Sequence, residues 1–180
     1  VLFRSDELVH NAIFLLNAGH ETTTNLIGNG VVALLEHPEQ WRRLLECPSL
    51  ISSTVEECLR FESSNQLGNR VTTAPLELEG LTVEKGTAIT ICIGAANRDP
   101  DEFSDPDCFD IARAPNRQLA FGLGIHACAG MALARGEGRV AIMKLVQRFP
   151  KLERVGEARR GGRARFRGFL RYPVSSGGPN

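Results

Sequence analysis

The sequence predicts a mainly α fold with a small β region, and three patterns predict it. Apolar residues recur at helical spacing over residues 5–36 and again over 131–149. Strand-like alternation is confined to the middle of the chain, around residues 76–93. Just before the last long helix stands the string FGLGIHACAG, residues 121–130, a loop opened by glycines that carries a cysteine.

The 180 residues suffice for one domain with a sizeable core. A hydrophobic fraction of 42% against 23% charged residues is globular, and the zero net charge points to neither nucleic acid nor an anionic membrane surface. No apolar run reaches the roughly 20 residues of a membrane span, and no signal peptide is visible. Five cysteines, odd in number and irregularly spaced, argue against a disulfide framework and fit a reducing cytoplasm.

In chain order, the first helix is expected over 5–36. Ser5 is its expected N-cap, and Asp6 and Glu7 suit the positive end of the helix dipole. Leu8, Ala12, Leu15, Leu16 and Gly19 mark the helical repeat. The run AGHETTT, residues 18–24, interrupts it with poor helix formers, since threonine loses rotamer freedom there and its hydroxyl bonds back to the preceding turn. An acid followed by a hydroxyl, Glu21 then Thr22, suits proton delivery. The plain alternative is a solvated acid beside threonines that serve only the backbone. The zinc motif H-E-x-x-H fails here, because Thr24 stands where the second histidine belongs.

A second helix begins near Pro38, a favoured first helical residue, and ends before Pro48. A third covers 50–62. On it Glu57 and Arg60 share a face at i and i+3, an arrangement most often met as a surface ion pair of small value. Leu76, Leu78, Leu81 and Val83 flank Glu79-Gly80 as a hairpin, and 87–93 reads as a further strand. Arg70 lies in the extended stretch before them. Residues 96–103, ANRDPDEF, are rich in turn formers. The last helix, 131–149, contains Gly136 and Gly138, each expected to cost about 1 kcal/mol against alanine. Residues 174–180 look like a loose tail.

The loop at 121–130 places Cys128 at the start of that helix, where backbone amides and the dipole favour a thiolate. Glycines let the backbone approach a flat, bulky group, and His126 adds a donor beside the sulfur. Three other readings exist. Gly122, Gly124 and Ala127 match a dinucleotide fingerprint, but no strand is expected before them and the positions about 20 further on are apolar. A zinc site lacks any C-x-x-C. A buried, inert cysteine is the simplest.

The whole string FGLGIHACAG resembles the haem-binding loop of the cytochrome P-450 monooxygenases, F-G-x-G-x-H/R-x-C-x-G, at every fixed position. AGHETT is similar to that family's oxygen-activation motif, EECLR to its E-x-x-R motif, and PDCFDIAR supplies the expected third charge, Arg113. The resemblance implies the C-terminal portion of the P-450 fold, divided as 1–63 (helical, with both motifs), 64–115 (β region and meander) and 116–180 (cysteine loop, following helix and final segment). It implies haem b with Cys128 as the iron's thiolate ligand. Phe121, Gly122 and Gly130 would bind it, Gly19 would leave space for oxygen above the iron, and Arg70 and His126 would pair its propionates. Glu21 and Thr22 would be the catalytic acid–alcohol pair. Glu57, Arg60 and Arg113 would form a structural network behind the loop.

The implied activity is a bacterial-type, cytoplasmic monooxygenase taking dioxygen, a small organic substrate and electrons from a ferredoxin or similar protein with its NAD(P)H-dependent reductase. Peroxide-driven hydroxylation is the alternative chemistry. Family members are more than twice this long, and VLFRS at residues 1–5 resembles translated adaptor DNA. The resemblance therefore implies a missing N-terminal half, and a haem-binding fragment without turnover as another alternative. Ser64, Gln118, Gly136 and Gly138 depart from the family pattern. The segment 167–174 resembles the final turn toward the substrate pocket.

Overall fold

A computed structural model describes residues 4–177. Helix α1 spans Ser5–Glu36, α2 Pro38–Glu46 and α3 Ile51–Phe61, with a single 3-10 turn at Pro48–Leu50 between the last two. Four strands follow: β1 Leu67–Val71, β2 Leu76–Leu78, β3 Leu81–Val83 and β4 Ala88–Cys92. The short α4, Ile93–Ala96, leads into an irregular stretch that ends at α5, Met131–Arg148. The two-residue strands β5 (Glu153–Arg154), β6 (Arg159–Arg160) and β8 (Val174–Ser175), with the three-residue β7 (Phe169–Arg171), close the chain.

The core lies where the second half of α1 meets α3 and α5. Leu26, Ala33, Leu34, Leu44, Val55, Leu59, Ile142 and Val146 are buried together, and Phe109 and Ile111 from the irregular stretch join them. Gly30 permits the closest approach. A Cβ there would stand 3.0 Å from Cys58 Sγ and 3.1 Å from Ile142 Cδ1, so only glycine lets α1 lie this near α3 and α5 without a shift. Trp41, 5% exposed, ties α2 to the end of α5 by donating its indole N–H to the Pro150 carbonyl at 3.1 Å. Within the described residues no helix is long and apolar enough to cross a membrane.

The sheets are four separate antiparallel pairs: β1 with β4, β2 with β3, β5 with β8 and β6 with β7. Arg70 faces Ile89 across the first, and the expected hairpin turns at Glu79-Gly80, with Gly80 at φ 77°.

Two expectations need correction. The N-cap of α1 is Arg4, whose N–H donates to Glu7 at 3.0 Å, and Ser5 already lies inside the helix. Residues 174–175 are strand β8, held against Glu153–Arg154, so a loose tail does not begin there; residues 178–180 of that expectation lie outside the described residues, as do 1–3 of VLFRS. Gly138 is buried, and a Cβ there would make ordinary contact, 3.4 Å from both Leu26 Cδ2 and Val55 Cγ1, whereas one at Gly136 would meet open space.

Candidate functional site

Local backbone bonds fold the cysteine loop onto the start of α5. The Gly122 N–H donates to the Leu119 carbonyl at 2.8 Å, and the Cys128 N–H returns to Phe121 at 2.8 Å. Gly122 (φ 68°) and Gly124 (φ 67°) take left-handed conformations that favour glycine. Residues 124–126 make one 3-10 turn, and the Met131 N–H bonds the Cys128 carbonyl as α5 begins. A Cβ on Gly130 would lie 3.9 Å from the Cys128 sulfur. Leu123 and Ile125 project from the same loop, Ile125 at 98% exposure.

The five cysteines separate by environment. Cys58 is the buried core cysteine, and burial pushes its thiol far above the ordinary range, so it stays protonated and inert. Cys128 is half-buried and on the loop; the inert-core reading fits Cys58 instead. Among the described residues no three metal-ligating side chains converge. The loop offers one cysteine sulfur, on a string that also carries glycines and two projecting apolar side chains. That set suits a flat, apolar macrocycle whose metal needs one thiolate from the protein.

Behind the loop the structure brings Glu57, Arg60 and Arg113 together. Both side chains of the Glu57–Arg60 pair are fully buried, with two 2.8 Å bonds in fork geometry. The remaining Arg60 donors reach the carbonyls of Asn97 (3.0 Å), Pro106 (2.8 Å) and Cys108 (2.9 Å). Arg113 Nε lies 3.3 Å from the Glu57 carboxylate and its other nitrogens bond the carbonyls of Ser104, Asp105 and Cys108. The surface-pair reading of Glu57–Arg60 is thus excluded by burial. Sequence reasoning missed two members. Asn116 donates to Glu57 at 3.0 Å, and buried Asn97 accepts the Leu119 N–H at 2.7 Å, directly bracing the entry to the cysteine loop.

A further ion pair also escaped the sequence. Arg135 of α5 bonds Glu56 of α3 at 2.6 and 3.0 Å, and its guanidinium lies 4.7 Å over the Phe121 ring. Gln118 donates to Glu56 at 2.9 Å while accepting the Ala120 N–H at 2.7 Å. Burial pushes the Glu56 carboxyl upward, but the hydrogen bonds from Arg135 and Gln118 and the charges of Arg135 and Arg139 outweigh it and hold the group below its ordinary value.

The other predicted residues are placed but not joined. The Thr22 hydroxyl donates back to the Ala18 carbonyl at 2.8 Å, and Thr24 does the same to His20. Helix α1 runs unbroken through both. Glu21 pairs with Arg163, which comes from the loop between β6 and β7. Around a Cβ placed on Gly19 there is open space. Arg70 is exposed and bonds only the neighbouring Asn69 carbonyl, at 2.8 Å, and His126 is exposed on the loop.

The chain is similar to known proteins. The Biotin biosynthesis cytochrome P450 of Bacillus subtilis is 50% identical over 82% of the chain, and the Vitamin D(3) 25-hydroxylase of Pseudonocardia autotrophica is 51% identical over 82%. The chain spans 37% of the length of each. A crystal structure of P450BioI in complex with hexadec-9Z-enoic acid ligated acyl carrier protein superposes with a TM-score of 0.89 at 48% identity, covering 91% of this chain and 43% of that one. The family description "Cytochrome P450" matches residues 49–157, from the start of α3 past the cysteine loop and α5. With the buried Glu57–Arg60 pair and the Cys128 loop both inside that match, the chain belongs to the cytochrome P450 family.

Proposed function

We propose that the intact protein carrying this chain is a haem-thiolate monooxygenase with Cys128 as the iron ligand, inserting one oxygen atom of dioxygen into a small organic substrate. The observation that carries this reading is the half-buried Cys128 sulfur on its positive-φ glycine loop, braced from behind by a charge pair sealed from water. Haem b, when bound, supplies the activation of dioxygen and the oxidation of a C–H bond.

The chain's own residues hold the group and handle protons. Phe121, Gly122 and Gly130 let a planar ring lie against the loop, and Gly19 leaves space on α1. Arg70 and His126 are exposed donors; the Arg70 fork gives up only its own chain's carbonyl when it turns to a propionate. The Thr22 hydroxyl, which donates to the Ala18 carbonyl, would turn from it to hydrogen-bond dioxygen. Glu21 can pass protons once Arg163 releases it. Electrons come from a ferredoxin or similar protein with its NAD(P)H-dependent reductase, in the cytoplasm. Two relatives of near-equal identity carry different names, one for biotin biosynthesis and one for vitamin D(3) hydroxylation, so identity alone does not choose the substrate.

The test is a carbon monoxide spectrum of the intact, haem-loaded and reduced protein. A thiolate-type spectrum is expected, and Cys128→Ala abolishes it. A histidine-type spectrum in the unsubstituted protein overturns the assignment. Thr22→Ala is expected to keep that spectrum while releasing more peroxide per substrate oxidised.

A further inference from the structure

Glu56 and Arg135 stand apart from the Glu57 network, although Glu56 is its sequence neighbour. Arg135 lies in the second turn of α5, seven residues past Cys128. Its guanidinium covers Phe121, and the Phe121 carbonyl accepts the Cys128 N–H at 2.8 Å. Its partner Glu56 also takes the bond from Gln118, which fixes Ala120. One ion pair thus grips the incoming limb of the loop and sets the Arg135 guanidinium on the ring of Phe121, the residue whose carbonyl holds the Cys128 N–H. The pKa of Arg135 is raised, first by its hydrogen bond to Glu56, against burial.

We infer that Glu56 and Arg135 are a positioning pair that tunes the Cys128 sulfur electrostatically: Arg135 supplies a fixed cation beside the thiolate, and Glu56 sets how much of that charge the sulfur feels. The inference rests on Cys128 being the iron ligand. One-electron reduction adds a negative charge to the haem–thiolate unit. A cation nearby favours the reduced form and an anion disfavours it. The two partners therefore act with opposite sign, although each is needed for the same bond.

That opposition is the test. Midpoint potentials are measured on the intact, haem-loaded protein with Arg135→Gln, Glu56→Gln and Arg135→Lys, each with its carbon monoxide spectrum. At a fixed potential, Arg135→Gln is expected to lower the ratio of reduced to oxidised protein by about threefold or more, and Glu56→Gln to raise it by a similar factor. Arg135→Lys keeps the charge and stays close to the unsubstituted value. If the pair is only a mechanical tie, both neutral variants shift the same way or not at all, and the inference falls. Should Arg135→Gln fail to hold haem, Glu56→Gln decides alone: a rise supports the inference, and a fall or no change overturns it. If the unsubstituted protein lacks a thiolate-type spectrum, the iron-ligand reading fails first and takes this inference with it. A normal spectrum with same-sign shifts removes only the inference.

Discussion

Behind the cysteine loop, Glu57 and Arg60 are closed off from solvent and bonded to six other residues, Asn97, Pro106, Cys108, Asp110, Arg113 and Asn116. Along the first half of α1, Leu8, Val9, Ile13, Phe14, Leu15 and Leu16 all stand exposed. The sulfur side of the family's fold is therefore finished from within this chain, while the α1 side presents a helix apolar around much of its circumference. A helix of that kind is built to be covered. Its helicity here is extended cooperatively from the packed segment around Leu26 to Leu34, since propagation costs far less than nucleation. Burial thus grades along a single helix, and the proposed Glu21–Thr22 pair sits at the changeover.

The contrast is broken most severely by Arg60→Ala, which leaves the Glu57 carboxylate buried without its partner. A loss of about 3–5 kcal/mol is expected in denaturant unfolding, and Arg60→Lys recovers little, because the fork is gone. Gly30→Ala comes next, at about 1–3 kcal/mol, since Cys58 and Ile142 must move to admit a methyl group. Gly136→Ala, in open space on α5, runs the other way and gains about 1 kcal/mol, read as a rise in thermal midpoint.

The pH dependence of Glu56 sharpens the comparison further. Its folded-state pKa is depressed, so its contribution is fully present above the ordinary value of 4.5 and is lost as pH falls through the lower folded value. Glu56→Gln should therefore cost about 1 kcal/mol or less at neutral pH and converge with the unsubstituted protein in acid, in unfolding curves taken at both. Smallest is Leu16→Ala. At 69% exposure it should change this chain's stability by less than about 0.5 kcal/mol, a result that a covered face would not give.

The helices and the hairpin at Glu79-Gly80 were legible because their determinants are local: spacing, proline at a first turn, a glycine at a tight turn. The cysteine loop was legible as a string for the same reason. What escaped was set by distance along the chain. Arg135 reaches Glu56 across 79 residues, Asn116 reaches Glu57 across 59, and Arg163 reaches Glu21 across 142. No periodicity encodes such pairings. Strands β5 to β8 pair as β5 with β8 and β6 with β7, with no tight turn between partners to mark them as Glu79-Gly80 marks β2 and β3.

Trp41 gives the molecule an optical address. It is the sole tryptophan, and it lies sealed at the joint between α2 and the end of α5. Its emission therefore reports one place: the far end of the helix whose first turn follows Cys128. Opening of that joint wets the indole and shifts its emission to the red, while events at the exposed half of α1 leave it unchanged. Loosening of the helix bundle can thus be followed in an unlabelled sample by the wavelength of that emission.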